Sequence, residues 1–364
     1  MKKVLIIAEC EFGDSIYYHL AHLIPALGKS SDFVVEVMVP KDSPLPAFLA
    51  AHNIITHQMG YSGTLSRTDL LAIRTKLRDI KPDIIHTHSH FLGKLSGWFG
   101  RYKTVHTLHS PVYVPKWRRI FPFKQIFSPA KKSHARKIIA VNQATQKSLQ
   151  DINLSSKYMR MIYNGVAPPK QHYGADIARL RVQFQIPENA FIATYITQLH
   201  EDNQLDMVVS TARELPYNVL TLIVSDGIPD ENYEKHLRSR IARESLNNIK
   251  ILPHSQLDEI LAVTDVQICP GAVSSIPSHV LSGMSAGKPT VVTKQFDPFV
   301  IQDNVTGLTF EPGSVEWLDD AITRLKDDQA MYSRLAKEAK ARHTRYFTAE
   351  NMAASTVKVY KELV

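Results

Sequence analysis

Residues 265–293 read DVQICPGAVSSIPSHVLSGMSAGKPTVVT, and this stretch decides the fold. It opens as a buried strand over 266–269, which Pro270 and Gly271 then break. A polar loop, 272–275, leads into a helix predicted over 276–286. Gly287 ends that helix, because a C-terminal cap favours a residue free to adopt positive φ. After Lys288 and Pro289 a second apolar run follows at 290–293. Strand, polar loop, helix N-terminus and strand make the unit that binds phosphate in doubly wound sheets. The helix dipole and its free N–H groups point at the crevice beyond the strand ends.

Working outward, the same architecture recurs. Residues 4–8 are a continuous apolar run, as a central parallel strand requires. A turn at Glu11-Phe12-Gly13-Asp14 leads to a helix over 15–27, with a stripe of Ile16, Leu20, Leu23 and Leu27. A second strand over 33–39 completes a βαβ opening and predicts right-handed crossovers. Gly13 marks a phosphate contact in the first turn or a plain tight turn. Further strands are expected at 138–142, 191–196 and 220–224, and helices at 70–80, 315–325, 331–342 and 347–363. Ala167-Pro168-Pro169 reads as a stiff linker.

The chain of 364 residues is long enough for two domains, each with its own core. Its 44% apolar and 21% charged content is ordinary for a globular protein. A net charge of +8 favours an anionic partner: nucleic acid, anionic lipid or a phosphorylated substrate. Cys10 and Cys269 sit in apolar, strand-like contexts and read as buried thiols, with no disulfide or metal role. The N-terminal apolar run is too short for a signal peptide and is interrupted by Glu9, and nothing approaches the length of a membrane span. A cytoplasmic protein is expected.

Two strand ends carry histidines: His86, His88 and His90 on one, His106 and His109 on the other. Parallel strands ending this way bring imidazoles into one crevice. No carboxylate or cysteine accompanies them at ligand spacing, so no metal is expected. The segment 114–137 interleaves Lys116, Arg118, Arg119 and Lys124 with Trp117, Phe121 and Phe123 and contains no acidic residue. That pattern suits an anionic bilayer surface, with nucleic acid as the competing partner. No nucleic-acid recognition motif is present, so nucleic acid ranks last.

The central stretch also resembles the retaining glycosyltransferases of family 4. That family carries Pro-Ser-x-x-Glu-Gly-Phe-Gly and then Glu-Ala-Met-Ala-x-Gly-x-Pro-Val-Val-Ala-Thr. Pro270, Met284, Gly287, Pro289, Val291, Val292 and Thr293 fall at matching spacing, whereas Ser274 and Ser282 replace the two glutamates. Residues 197–206 are similar to Gly-Arg-Leu-x-x-x-Lys-Gly-x-Asp, keeping Leu199 and Asp206 but placing Gln198 for the arginine and Asn203 for the lysine. His86-Thr87-His88, the Tyr163-Asn164-Gly165-Val166 segment and Leu252-Pro253-His254 also match family segments.

The resemblance implies a GT-B fold: two doubly wound Rossmann-like domains, residues 1–168 and 169–344, facing a cleft, with the last helix returning to the first domain. It implies a nucleotide-diphosphate sugar as donor, with its base near Leu252 and His254. The phosphates would lie at Ser274, Ser275 and Ser278, with Gly13, Gln198, Asn203 and Ser282 also lining the donor. His88 would contact the transferred sugar, with His109 on the acceptor side. The acceptor would be a glycan or a lipid-linked molecule in cell-surface polysaccharide synthesis, reached from the inner membrane face. Neither a cofactor nor a metal is implied.

The four neutral replacements bear on activity. Removing one electrostatic group aimed at developing charge costs on the order of 10²–10³ in rate. Gln198, Asn203, Ser274 and Ser282 therefore open an alternative, a non-catalytic partner subunit of an active transferase or a nucleotide-sugar-binding protein. Against it, a helix N-terminus and hydroxyl donors hold diphosphate without side-chain cations. Lys288 and Lys294 are expected to supply charge nearby.

Overall fold

A computed structural model describes residues 1–59, 67–88, 102–112, 136–227, 229–253, 257–271 and 276–364. The chain divides into two compact units: Met1–Val166 with Thr348–Val364, and Ala167–Phe347.

Unit 1 begins with β1 (Lys2–Ile7), α1 (Ser15–Gly28), β2 (Phe33–Pro40), α2 (Leu45–Ala50), β3 (Ile55–Met59) and α3 (Arg67–Ile80). It continues with β4 (Ile84–Thr87), β5 (Lys103–Leu108), β6 (Lys137–Ala140), α4 (Gln143–Asp151) and β7 (Met159–Met161). The sheet is parallel, in the order β3-β2-β1-β4-β5-β6-β7. The strand order therefore reverses between β1 and β4. β1 presents Val4, Leu5, Ile6 and Ile7 buried on both faces, which is why its sequence is unbroken apolar. Asp14 caps α1, its carboxylate accepting from the Ile16 N–H. Gly13 holds φ +85° in the preceding turn.

Unit 2 runs α5 (Ala175–Gln183), β8 (Phe191–Thr197), α6 (Leu205–Glu214), β9 (Val219–Ser225), α7 (Glu231–Arg243) and β10 (Ile249–Leu252). Then come α8 (Leu257–Val263), β11 (Val266–Cys269), α9 (Ser278–Ser285), β12 (Thr290–Thr293), β13 (Leu308–Phe310), α10 (Val315–Asp327) and α11 (Gln329–Tyr346). Its sheet is again parallel, β10-β9-β8-β11-β12-β13, reversing between β8 and β11.

The last helix, α12 (Ala349–Lys361), belongs to unit 1. It re-enters beside Val166, whose carbonyl accepts from the Ala349 N–H at 3.1 Å. Gly165 is required there, since a Cβ would stand 2.2 Å from the Thr348 carbonyl oxygen. Tyr360 is fully buried against unit 1's core, and Glu362 forms ion pairs with Lys137 and Arg160.

The expected helix at 276–286 is shorter, because Pro277 is its N-cap in extended conformation and not its second residue. The strand expected through Asn142 stops at Ala140; Asn142 caps α4, its Oδ1 accepting from the Thr145 N–H at 2.7 Å. Cys10 and Cys269 are both buried. No helix among the described residues is long and apolar enough to cross a membrane.

Candidate functional site

Polar side chains collect at the C-terminal strand edge of each unit, at the point where strand order reverses. That is where open α/β sheets bind ligands.

In unit 1, His88 follows β4 directly and its N–H donates to the Ile7 carbonyl at 3.1 Å. His109 follows β5. The structure brings them together: His88 Nδ1 and His109 Nε2 stand 3.2 Å apart. A third imidazole joins them from α1. The His19 ring centroid is 5.2 Å from that of His88 and 4.7 Å from that of His109. All three are buried. His19 Nδ1 meets Asn164 Oδ1 at 2.8 Å. The amide oxygen only accepts, so His19 carries its proton on Nδ1 and presents a bare Nε2.

His86 does different work. Its Nδ1 pairs with the Tyr360 hydroxyl and its Nε2 with Thr107 Oγ1, both at 2.7 Å. It ties β4 to β5 and to the returning helix. His106 similarly pairs with Thr87 Oγ1 at 2.9 Å.

Burial, reinforced by neighbouring imidazoles, holds His86 and His88 well below the usual histidine range. Burial pushes His19 down to about 4, against the hydrogen bond to Asn164. His19, His86 and His88 are therefore neutral at pH 7. Sequence reasoning missed His19. It lies three residues after Ile16 and four before Leu23 on the apolar stripe, so it reads as one more core position. Gly13, expected as a donor contact, sits in the turn after β1 at this same edge.

In unit 2, Gln198 follows β8 and is exposed. The Asn203 amide donates to the Gln198 carbonyl at 2.8 Å, and the Asn203 carbonyl accepts from the Tyr195 hydroxyl at 2.7 Å. Asn203 thus braces the loop on itself. Ser278 is the first residue of α9, whose N-terminus has no side-chain cap. Ser282 is buried in the middle of α9. Gln267, on β11, lies against Gly283 and donates to the His279 carbonyl at 3.0 Å. This holds the first turn of α9 to the sheet. Leu252 ends β10 and lines a cavity of about 850 Å³ along that edge strand, with Phe184, Lys250 and Ile251.

Neither lysine expected to supply charge is free to do so. Lys288 precedes β12 and faces the charge of Asp265, which precedes β11. Both lie at the N-terminal edge, opposite the loop after β11. Lys294 is at the correct edge but is ion-paired with Glu311. His254, Ser274 and Ser275 lie outside the described residues, as do Lys116, Trp117, Arg118, Arg119, Phe121, Phe123 and Lys124.

Comparisons with known proteins agree with this architecture. A family model described as Glycosyltransferase Family 4 matches residues 18–169, and one described as Glycosyl transferases group 1 matches residues 176–342. The chain is 22% identical over 283 residues to an Escherichia coli UDP-Gal:alpha-D-GlcNAc-diphosphoundecaprenol alpha-1,3-galactosyltransferase, covering 72% of this chain and 71% of that one. It is 24% identical over 311 residues to the sulfoquinovosyl transferase SQD2 of Arabidopsis thaliana, covering 80% of this chain but 58% of the relative. The crystal structure of Anabaena HepE in complex with UDP and glucose superposes with a TM-score of 0.84 at 17% identity, over 99% of this chain and all of that one.

Proposed function

The chain belongs to the family 4 glycosyltransferases of GT-B fold, and on that premise we propose that it moves a sugar from a nucleotide-diphosphate donor to a glycan or lipid-linked acceptor in cell-surface polysaccharide synthesis. The observation that carries this reading is α9. An uncapped helix N-terminus at the reversal of strand order is a ready anion site. In this reading the diphosphate rests on the first turn of α9, with hydroxyl donors from Ser274, Ser275 and Ser278. The base lies near Leu252 and His254. Gln198 and Asn203 shape the rim. His88, held neutral, contacts the transferred sugar without adding charge, and His109 stands on the acceptor side. In a retaining transfer the departing phosphate accepts the acceptor's proton, so no carboxylate base is demanded.

The segment 114–137 docks the protein on the inner face of an anionic membrane, where a lipid-linked acceptor is presented. The diphosphoundecaprenol acceptor named for the Escherichia coli relative supports this choice. Co-sedimentation with neutral and anionic vesicles tests it. Binding should need anionic lipid and vanish when Lys116, Arg118 and Arg119 are changed to Glu; binding that ignores lipid charge would sink the idea.

One observation favours a second reading. Asn203 spends its amide on the Gln198 carbonyl, and neither it nor Gln198 supplies the cation that the family places at its position. A non-catalytic partner subunit would need none. Calorimetry with UDP, GDP and ADP and their sugars separates the two. Micromolar binding, weakened at least about tenfold by Ser278→Glu through like-charge repulsion, supports the enzyme. No binding to any nucleotide supports the partner subunit.

A further inference from the structure

The three-histidine cluster of unit 1 shares His88 and His109 with the proposed transfer site, and its geometry carries an inference that can be tested without any sugar. We propose that His19, His88 and His109 form a binding site for a divalent transition metal ion of the zinc class. One nitrogen from each residue lies within 4.8 Å of the others, and all three side chains are buried. Nitrogens bound tetrahedrally at about 2.0–2.1 Å from zinc stand roughly 3.3–3.4 Å from one another. His88 Nδ1 and His109 Nε2 already stand 3.2 Å apart. The other separations, at most 4.8 Å, shorten on binding.

The chemistry of the donors agrees. A metal needs the neutral imidazole with a bare lone pair. His19 is fixed in that state, because Asn164 takes the Nδ1 proton and leaves a buried Nε2 with no hydrogen-bond partner among the described residues. A histidine ligand oriented by an amide or carbonyl oxygen on its other nitrogen is the usual arrangement around a metal. His88 Nε2 is likewise buried and without a partner among the described residues. On binding, the proton shared between His88 Nδ1 and His109 Nε2 moves to the outer nitrogen of its own ring, so no net proton is released. His86 is excluded as a ligand, since Tyr360 and Thr107 occupy both its nitrogens. An all-imidazole set selects zinc, copper, nickel or iron over magnesium and calcium, which prefer oxygen. Three nitrogens leave the fourth position of a tetrahedral ion for solvent or a substrate oxygen.

The test uses the full chain, stripped with a chelator and titrated with Zn²⁺ against a chromophoric competitor. Co²⁺ serves as a spectroscopic stand-in for coordination number. Wild type should bind one equivalent at submicromolar affinity, and Co²⁺ should give the visible bands of a four-coordinate ion. His109→Ala and His19→Gln should abolish this binding. Asn164→Ala should weaken it about 10–100-fold, the effect of losing an outer-shell partner. His52→Ala and His200→Ala, on the surface, should leave it unchanged. Circular dichroism of each apo variant shows that it is folded. Wild type binding less than one equivalent or only at tens of micromolar, or His19→Gln binding like wild type, would overturn the proposal. None of these outcomes depends on whether a nucleotide sugar binds unit 2.

Discussion

Gly283→Ala sets two opposing effects against each other at the base of the anion site. Alanine in a helix is worth about 1 kcal/mol over glycine, so propensity alone predicts a more stable protein. The packing predicts the opposite. A Cβ at 283 would stand 1.8 Å from Gln267 Oε1, 2.3 Å from its Cδ and 3.0 Å from its Nε2. Gln267 is only 2% exposed, so its amide has no solvent to retreat into. Moving it breaks the hydrogen bond to the His279 carbonyl and strands a buried polar group, at a cost of about 1–3 kcal/mol. Overpacking adds about 1–3 kcal/mol. The net expectation is a loss of roughly 1–5 kcal/mol, with packing the winner. Denaturant unfolding should show a lower midpoint at unchanged m-value. The double variant Gln267→Ala/Gly283→Ala should be less destabilised than the sum of the single changes, because the new methyl fills the vacated space. A Gly283→Ala protein stabilised by about 1 kcal/mol would refute the reasoning, since propensity would then have won.

Three further outcomes follow from other contacts. Gly165→Ala drives a Cβ to 2.2 Å from a backbone oxygen that cannot rotate away, so it should cost about 3 kcal/mol, the upper end of overpacking; thermal unfolding of unit 1 measures it. Burial pushes His279 down to about 4 from 6.5. The folded state therefore resists a proton that the unfolded state accepts, and this contribution, up to about 3 kcal/mol, is present above pH 6.5 and lost as pH falls towards 4. A stability–pH profile should lose that slope in His279→Gln. The pair Gln198→Arg and Asn203→Lys places two cations beside α9, and each charged hydrogen bond is worth about 1.5–3 kcal/mol. Nucleotide affinity by calorimetry should rise at least tenfold, whereas an unchanged affinity would move the diphosphate elsewhere.

The central strands of both sheets were legible because parallel strands buried on both faces are mostly apolar, as residues 4–8 are throughout and residues 220–224 are but for Thr221; the short strands at 55–59, 159–161 and 308–310 were not. Gly287, at φ +71°, was legible as a helix stop for its backbone freedom. The pairing of His88 with His109 followed from two histidine-bearing strand ends in a parallel sheet. What stayed hidden was long-range and polar. His19 is masked by its place on an apolar helix stripe, and its partner Asn164 lies 145 residues away. Lys288 misled because proximity in sequence to the loop after β11 says nothing about which edge of the sheet a residue occupies. Asn203 read as a lost charge; its role as a brace for its own loop depends on a carbonyl direction that no side-chain pattern encodes.

Donor turnover tests the central claim most directly. The full chain would be incubated with each nucleotide sugar that binds, with and without a lipid-diphosphate-linked glycan, and followed by NMR. The expected result is release of the nucleoside diphosphate together with the sugar in its original anomeric configuration, faster with acceptor and lost in His88→Ala. Tight donor binding with no release under either condition, or release unchanged by His88→Ala, would contradict it.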